Sequence, residues 1–328
     1  MKKFLIGSLL LSLASPSMRA CDSCGCSLSE LSLESFGAHL HEHQLASSDY
    51  LYFGLSEQYT YFGTLQTDGH RTGNPANQYE DSSITQFYLG YQITSWLGVQ
   101  ANLPMIYRYY QTTDGFARTT GTVAGPGDAS IILNAMPFHY ETGDWHFAWT
   151  VGGGLKFPTG NPNQLENEVT ETPTPKGAID SAIGGHDLAL GSGAYDGLLL
   201  TGLDVRWKQL FFTADGEYTI RTKGYVGYRY ANEISWAAGP GIRFVEGPDY
   251  TLGVQARASG EYKGEDTLQG VSITDTGMTS IYLGPKVTLS WQARVAASFA
   301  VEIPVLQNNT GLQAVADYRL KANLSVRF

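Results

Sequence analysis

Apolar and polar residues alternate along most of this chain with a period of two, the pattern of strands rather than helices. The last segment shows it most plainly. Ala316, Tyr318, Leu320, Ala322, Leu324, Val326 and Phe328 alternate with Val315, Asp317, Arg319, Lys321, Asn323, Ser325 and Arg327. One face is apolar and the other polar. The same alternation runs through 97–109, where Leu97, Val99, Ala101, Leu103, Met105 and Tyr107 share a face, and through 250–262 and 294–305. Twelve such segments begin near Tyr50, Ile84, Leu97, Gly127, Trp145, Leu198, Leu210, Glu233, Tyr250, Thr279, Arg294 and Gln313. Segments of about ten residues with this alternation suit strands that face lipid on one side and a polar lumen on the other.

The spacing between segments supports the same reading. Five connections are short, around Ser95, Glu141, Lys208, Pro248 and Gln292; six are longer, including Thr64–Ser82 and Phe157–Ala194. Short and long alternate, as they do where every short turn is periplasmic and every long loop extracellular, and an even strand count leaves both barrel ends periplasmic. In hydrocarbon an unpaired backbone group costs several kcal/mol, so a lipid-facing sheet must close on itself. Tyr50, Tyr52, Tyr107, Tyr109, Tyr140, Trp145, Trp207, Phe212, Trp236 and Trp291 fall near the expected strand ends, where aromatic girdles meet the headgroups. The closing Phe328 resembles the signal by which outer-membrane barrels are recognised by the barrel-assembly machinery. The expected fold is all-β: a transmembrane antiparallel outer-membrane β-barrel of about 12 strands in a Gram-negative envelope.

The ends of the chain depart from this pattern. Residues 1–20 read as a secretory signal peptide, with Lys2 and Lys3, an apolar run Phe4–Leu13 and a small-residue exit Ser15–Ala20. That run is shorter than the roughly 20 residues a membrane helix needs. Residues 21–48 then form a short periplasmic tail, and 49–328 the barrel. Composition agrees: 16% of residues are charged and 42% hydrophobic, against about 25% charged in soluble domains, as a chain that gives one face to lipid should be. The net charge of −10 excludes a nucleic-acid partner that binds through phosphates.

Function should appear in the lumen. The inward set contains the cations Arg108, Lys156, Arg206, Arg221, Arg243, Arg257, Lys286, Arg294, Arg319, Lys321 and Arg327. It contains fewer anions: Asp128, Asp204, Asp215, Glu217, Glu261, Glu302 and Asp317. Such charges either pair across strands to hold a narrow barrel in register or form a net-positive path for polar, anionic or aromatic small-molecule solutes. The selectivity set is Arg108, Lys156, Arg206, Asp215, Glu217, Arg221, Arg257, Lys286, Arg319 and Lys321. About twelve strands give a narrow, partly obstructed pore, between filled barrels of about eight and open channels of about 16.

Three segments carry a family resemblance: Gly125–Ala135 (GPGDASIILNA), Leu155–Gly160 (LKFPTG) and Leu190–Leu200 (LGSGAYDGLLL). The pattern resembles the outer-membrane proteins of the MetA pathway of phenol degradation. That resemblance implies a transport barrel comparable to hydrocarbon-uptake channels. Read from the residues, the Gly and Pro positions punctuate strand ends around the largest loop. Alternatively, Asp128, Lys156 and Asp196 approach one another and clamp a folded loop or gate.

Cys21, Cys24 and Cys26 (CDSCGCS) are the only cysteines, with His39, His41 and His43 behind them. Thiols at CxxCxC spacing can converge on one soft ion, with His39 and His43 sharing a helical face, which suits copper or zinc. A disulfide and a lipid anchor on Cys21 are the alternatives. Residues 27–47 suit a short amphipathic helix, with Ser27 and Glu30 at capping-box spacing. The cysteine motif is an addition to the resembled pattern and implies a metal-linked or electron-transfer-linked subgroup. Catalysis is not expected. His139 falls in an expected turn, His146 faces inward and His186 lies in a loop, with no GxSxG elbow. The function expected is therefore a channel or transporter for small solutes, with a metal-linked barrel, a structural barrel and a lipid hydrolase as successive alternatives.

Overall fold

The computed structural model describes residues 50–113, 115–170, 178–247, 249–292 and 294–328. The expected signal peptide and the expected tail with Cys21, Cys24, Cys26, His39 and His43 lie outside the described residues. Twelve long strands follow one another: β1 (Tyr50–Thr67), β2 (Tyr79–Thr94), β3 (Leu97–Thr113), β4 (Ser130–Thr142), β5 (Trp145–Lys156), β6 (Asp196–Trp207), β7 (Leu210–Ile220), β8 (Glu233–Glu246), β9 (Tyr250–Lys263), β10 (Met278–Trp291), β11 (Val295–Asn309) and β12 (Leu312–Arg327). Each pairs antiparallel with the next. β1 also pairs with β12, from Tyr52↔Arg327 to Thr67↔Leu312, which closes the sheet into a barrel and removes its two edges.

Burial is inverted relative to a soluble protein. Gln58, Gln86, Gln100, Asn102, Asn134 and Gln255 are buried inside, while Leu51, Phe53, Leu89, Leu103, Leu133, Leu199, Leu289 and Phe299 are exposed outside. An apolar surface this extensive is a lipid-facing belt. On β1 and β2 the belt ends at Glu57, which accepts hydrogen bonds from Ser83 and Thr85, and at Tyr59, which donates to Asp81. At the short-turn end, Trp145 and Trp207 stack at 6.0 Å, and Tyr140, Tyr250 and Trp291 are exposed beside that end, forming the expected aromatic border.

Two aromatics placed in that border by their positions belong inside instead. Tyr50 and Tyr52 are buried; Tyr52 donates to Gln100 Oε1 at 3.0 Å, and the Arg327 guanidinium lies 3.4 Å from the Tyr50 ring centroid. The backbone makes room for these rings. Tyr52 lies directly opposite Gly90, and Tyr88 directly opposite Gly54. A Cβ at either glycine would fall within the facing phenol ring. A side chain there would therefore expel an aromatic from the packed interior.

Most of the barrel strands run further toward the loop end than the apolar pattern indicates. β2 starts at Tyr79 rather than near Ile84. The β11–β12 connection, expected to be long, is the two-residue turn Thr310–Gly311, with Gly311 at φ 59° and its amide donating to Asp68. The other loop-end connections build a cap. Arg118–Pro126 extends the sheet from β3, and three short strands (Tyr228–Arg229, Asp266–Leu268, Val271–Ile273) form a separate sheet. The longest connection, 157–195, contributes the short helices α1 (Glu166–Thr170) and α2 (Gly185–Leu188).

Candidate functional site in the lumen

The three resembled segments meet at one point. Asp128 receives the Gly160 amide at 3.0 Å and the Ser192 amide and hydroxyl at 2.9 Å each. Lys156 Nζ sits 3.5 Å from Asp128 and 3.2 Å from Asp196. Arg221 completes the arrangement, 3.0 Å from Asp196 and 2.9 Å from Glu233. The Gly and Pro residues do punctuate strand ends, but the charges also clamp both ends of the 157–195 connection to the barrel wall. Asp128 lies before β4, in this clamp, rather than in a strand beginning at Gly127.

The clamped connection crosses the mouth. Gln78, just before β2, takes the Ala182 amide at 2.9 Å and donates to Asp180 O; Ala314 of β12 donates to Ala182 O at 3.1 Å. Arg108 of β3 donates to Ala189 O at 2.8 Å and lies 3.3 Å from Glu80. A segment that leaves β5 and returns at β6 thus reaches β12, β2 and β3 across the lumen. Leu165, Ile183, Leu188 and Leu190 of the cap are themselves buried, Leu190 against Ile84 and Ile106 of the barrel.

His186 of α2 holds the cap internally. Its Nδ1 is 3.0 Å from Glu168 and its Nε2 3.3 Å from Asp187, while its carbonyl accepts from Tyr230. Burial opposes protonation of the ring, but the Asp187 and Glu168 carboxylates outweigh it and push the imidazole up to about 10. Burial likewise opposes charge on Glu168, and the hydrogen bond and charge of His186 reverse it, holding that carboxyl below its ordinary value.

Below the cap the lumen is a lattice of shared charges. Arg257 lies 3.4 Å from Asp215 and 3.7 Å from Glu302; Arg319 lies 3.1 Å from Glu261 and 3.7 Å from Glu302; Lys321 lies 3.3 Å from Glu302. Arg319 also covers the Tyr282 ring at 4.1 Å, and Tyr282 donates to Glu261. Taking each of these ions out of water costs several kcal/mol, so placing opposite charges beside one another, with Glu302 facing Arg257, Arg319 and Lys321, is what makes a charged interior tolerable. The space left is a cavity of about 70 Å³, bordered by Gln58, Gln86, Lys156, Glu217, Arg257 and Lys321. A space of that size bordered by polar side chains has room for water, so the lumen here is narrow and polar.

All ten residues of the expected selectivity set face inward. Arg108, Lys156, Asp215, Glu217, Arg221, Arg257, Arg319 and Lys321 join the cap or lattice, Lys286 is buried on β10, and Arg206 lies near the short-turn end, 3.9 Å from Glu141. The structure adds groups of both signs to the expected inward inventory, among them the buried Lys263, 2.8 Å from Asp266. Glu80, Glu141, Asp196 and Glu233, absent from the inward inventory, turn to Arg108, Arg206, Arg221 and Lys156, while Arg294 is exposed. The four acids sit at strand ends, where alternation fades; a sharper signal would have been their proximity to arginines on neighbouring strands.

At the short-turn end the lumen widens into a cavity of about 300 Å³ lined by Gly143, Asp144, Arg206, Lys208, Arg243, Glu246, Gly247 and Thr251. His139, expected in a turn, is in β4 and sits beside Glu141 and the buried His146.

No family model matches the sequence, and no curated protein matches it. Solved structures match in shape. An outer-membrane channel from Pseudomonas putida F1 superposes with a TM-score of 0.58 at 14% identity, over 88% of this chain and 100% of that one. The chain is an outer-membrane β-barrel by fold. More remote is the translocator domain of the autotransporter NalP from Neisseria meningitidis, with a TM-score of 0.41 at 11% identity over 92% of this chain and 94% of that one. A Pseudomonas aeruginosa FadL homologue gives 0.36 at 10% identity, over 95% and 99%.

Proposed function

We propose that this barrel is an outer-membrane channel for small polar solutes, narrowed at its mouth by the 157–195 cap. The observation that carries the proposal is the polar, charge-lined lumen closed over by one clamped connection, Asp128–Lys156–Asp196–Arg221. A purely structural barrel has no need of a charge-lined interior, or of a cap tied down by ion pairs as well as by apolar packing such as Leu190 against Ile84 and Ile106. The likeness in shape to a Pseudomonas putida outer-membrane channel and the motif resemblance to MetA-pathway transporters favour the same reading. The chain sits in the bacterial outer membrane after delivery by the assembly machinery, with short turns and the 21–48 tail on the periplasmic side. Cys21, Cys24 and Cys26, with His39 and His43, bind copper or zinc in that tail. The reading assigns no catalysis.

Purified protein in planar bilayers should give small, discrete conductance steps, and loaded liposomes should admit small polar solutes. Complete absence of both conductance and uptake, with the barrel folded, would overturn the assignment.

A further inference from the structure

A second set of residues, away from the clamp, converges at the short-turn rim. One ligand atom from each of His139, Glu141 and His146 lies within 4.8 Å of the others. His139 Nε2 is 3.8 Å from Glu141 Oε2, and Glu141 lies directly opposite His146 in the β4–β5 ladder.

A local irregularity brings them together. On β4, Ile132, Asn134 and Met136 are buried, so strict alternation would turn Tyr140 inward and His139 and Glu141 toward lipid. The register shifts between Ala135 and Phe138. Phe138 and Tyr140 are left 50% exposed on the outside, and His139 and Glu141 turn to the lumen beside His146. Bulges of this kind re-aim side chains and cluster beside functional sites.

Polar atoms here stand without hydrogen-bond partners beside open space. The His146 side chain is 4% exposed and its Nε2 has no hydrogen-bond partner; Glu141 Oε1 is likewise buried without one. Buried groups of this type ordinarily find partners, so Glu141 Oε1 is open to an ion or water. Asp204, fully buried on β6, stands 3.6 Å from His146 Nε2; an outer carboxylate on that nitrogen orients the ring and leaves Nδ1 as the atom for a metal. Arg206 lies 3.9 Å from Glu141, and Arg243 lines the same rim cavity as Arg206.

We infer that His139, Glu141 and His146 form a binding site for a divalent first-row transition metal at the short-turn mouth of the lumen. Two imidazoles and one carboxylate with open positions suit zinc or copper(II). Bonds of about 2.0–2.1 Å would draw the three ligand atoms to about 3.4 Å apart, a movement within reach of side-chain rotation. His139 is partly exposed and the 300 Å³ rim cavity adjoins Glu141's partner Arg206, so an ion can enter from that side.

The test uses the full mature chain carrying Cys21→Ser, Cys24→Ser and Cys26→Ser, so that tail thiols contribute nothing. Equilibrium dialysis with zinc or copper(II) should find one ion per barrel, and the copper(II) resonance spectrum should show two coordinated nitrogens. His139→Gln, at the partly exposed rim, should keep the folded, heat-modifiable mobility of the barrel, lose one nitrogen from the spectrum and weaken binding by about tenfold or more. Glu141→Gln should weaken binding similarly while keeping both nitrogens. Absence of a bound ion in the cysteine-free chain, or unchanged affinity and spectrum in His139→Gln, would overturn the inference.

Discussion

The two ends of the lumen solve the problem of buried polarity in opposite ways. Toward the loop end, carboxylates are shared: Asp196 serves Lys156 and Arg221, and Asp128 serves Lys156, Gly160 and Ser192. At the short-turn end His146 Nε2 and Glu141 Oε1 are buried without hydrogen-bond partners, beside a wider cavity. The first arrangement ties several strands and the cap together through shared ions, suited to holding a cap in place. The second faces open space, suited to receiving something. Polar side chains inside a barrel therefore do not have one role; what separates the roles is whether opposite charges are shared across several elements or stand beside a cavity.

The largest expected effect lies in the shared lattice. Glu302→Gln removes the carboxylate that Arg257, Arg319 and Lys321 approach together. Leaving buried cations undercompensated costs about 3–5 kcal/mol, which urea unfolding in lipid vesicles would measure. A loss below about 1 kcal/mol would mean that the lattice is no more demanding than a surface pair.

The next effect is on the cap and depends on pH. His186 is raised from 6.5 to about 10, so its contribution is full below its ordinary value and is lost as pH rises through about 10. Glu168 is lowered, so its contribution is present above its ordinary value of 4.5 and is lost as pH falls below it. The latch is strongest between those ordinary values. Limited proteolysis within 157–195 should be slow there and accelerate several-fold toward about pH 10, while His186→Gln flattens the alkaline limb. An identical pH profile in the two proteins would remove His186 from the latch.

The smallest effect is expected at the rim surface. Lys208 and Asp144 are 3.6 Å apart, but their side chains are 59% and 61% exposed. Lys208→Ala should change unfolding stability by less than about 1 kcal/mol, an effect that fades with salt. A cost comparable to Glu302→Gln would erase the contrast between paired interior and solvated rim.

The amino-acid pattern carried the architecture further than the site. The alternation along Leu97–Tyr107 and Val315–Phe328 follows directly from the lipid-facing side, and it located twelve strands and the five short turns. Three features escaped because no periodicity encodes them. Tyr50 and Tyr52 look like border aromatics until Gly54 and Gly90 are seen opposite Tyr88 and Tyr52. Glu80, Asp196 and Glu233 lie at strand ends, beyond the apolar belt that makes strands recognisable. The bulge between Ala135 and Phe138 reverses the facing of His139 and Glu141, which an unbroken alternation assigns to lipid. The clamp was half legible: Asp128, Lys156 and Asp196 stood out as charges within Gly- and Pro-rich boundaries, but their distances depend on the closed barrel.

The measurement that bears most directly on the account is single-channel conductance of wild type and Asp128→Asn. Asp128 holds the cap through Lys156, Gly160 and Ser192. Releasing it should raise the conductance or open time several-fold. A folded Asp128→Asn barrel with wild-type conductance would contradict the claim that the clamped 157–195 connection sets the width of the path.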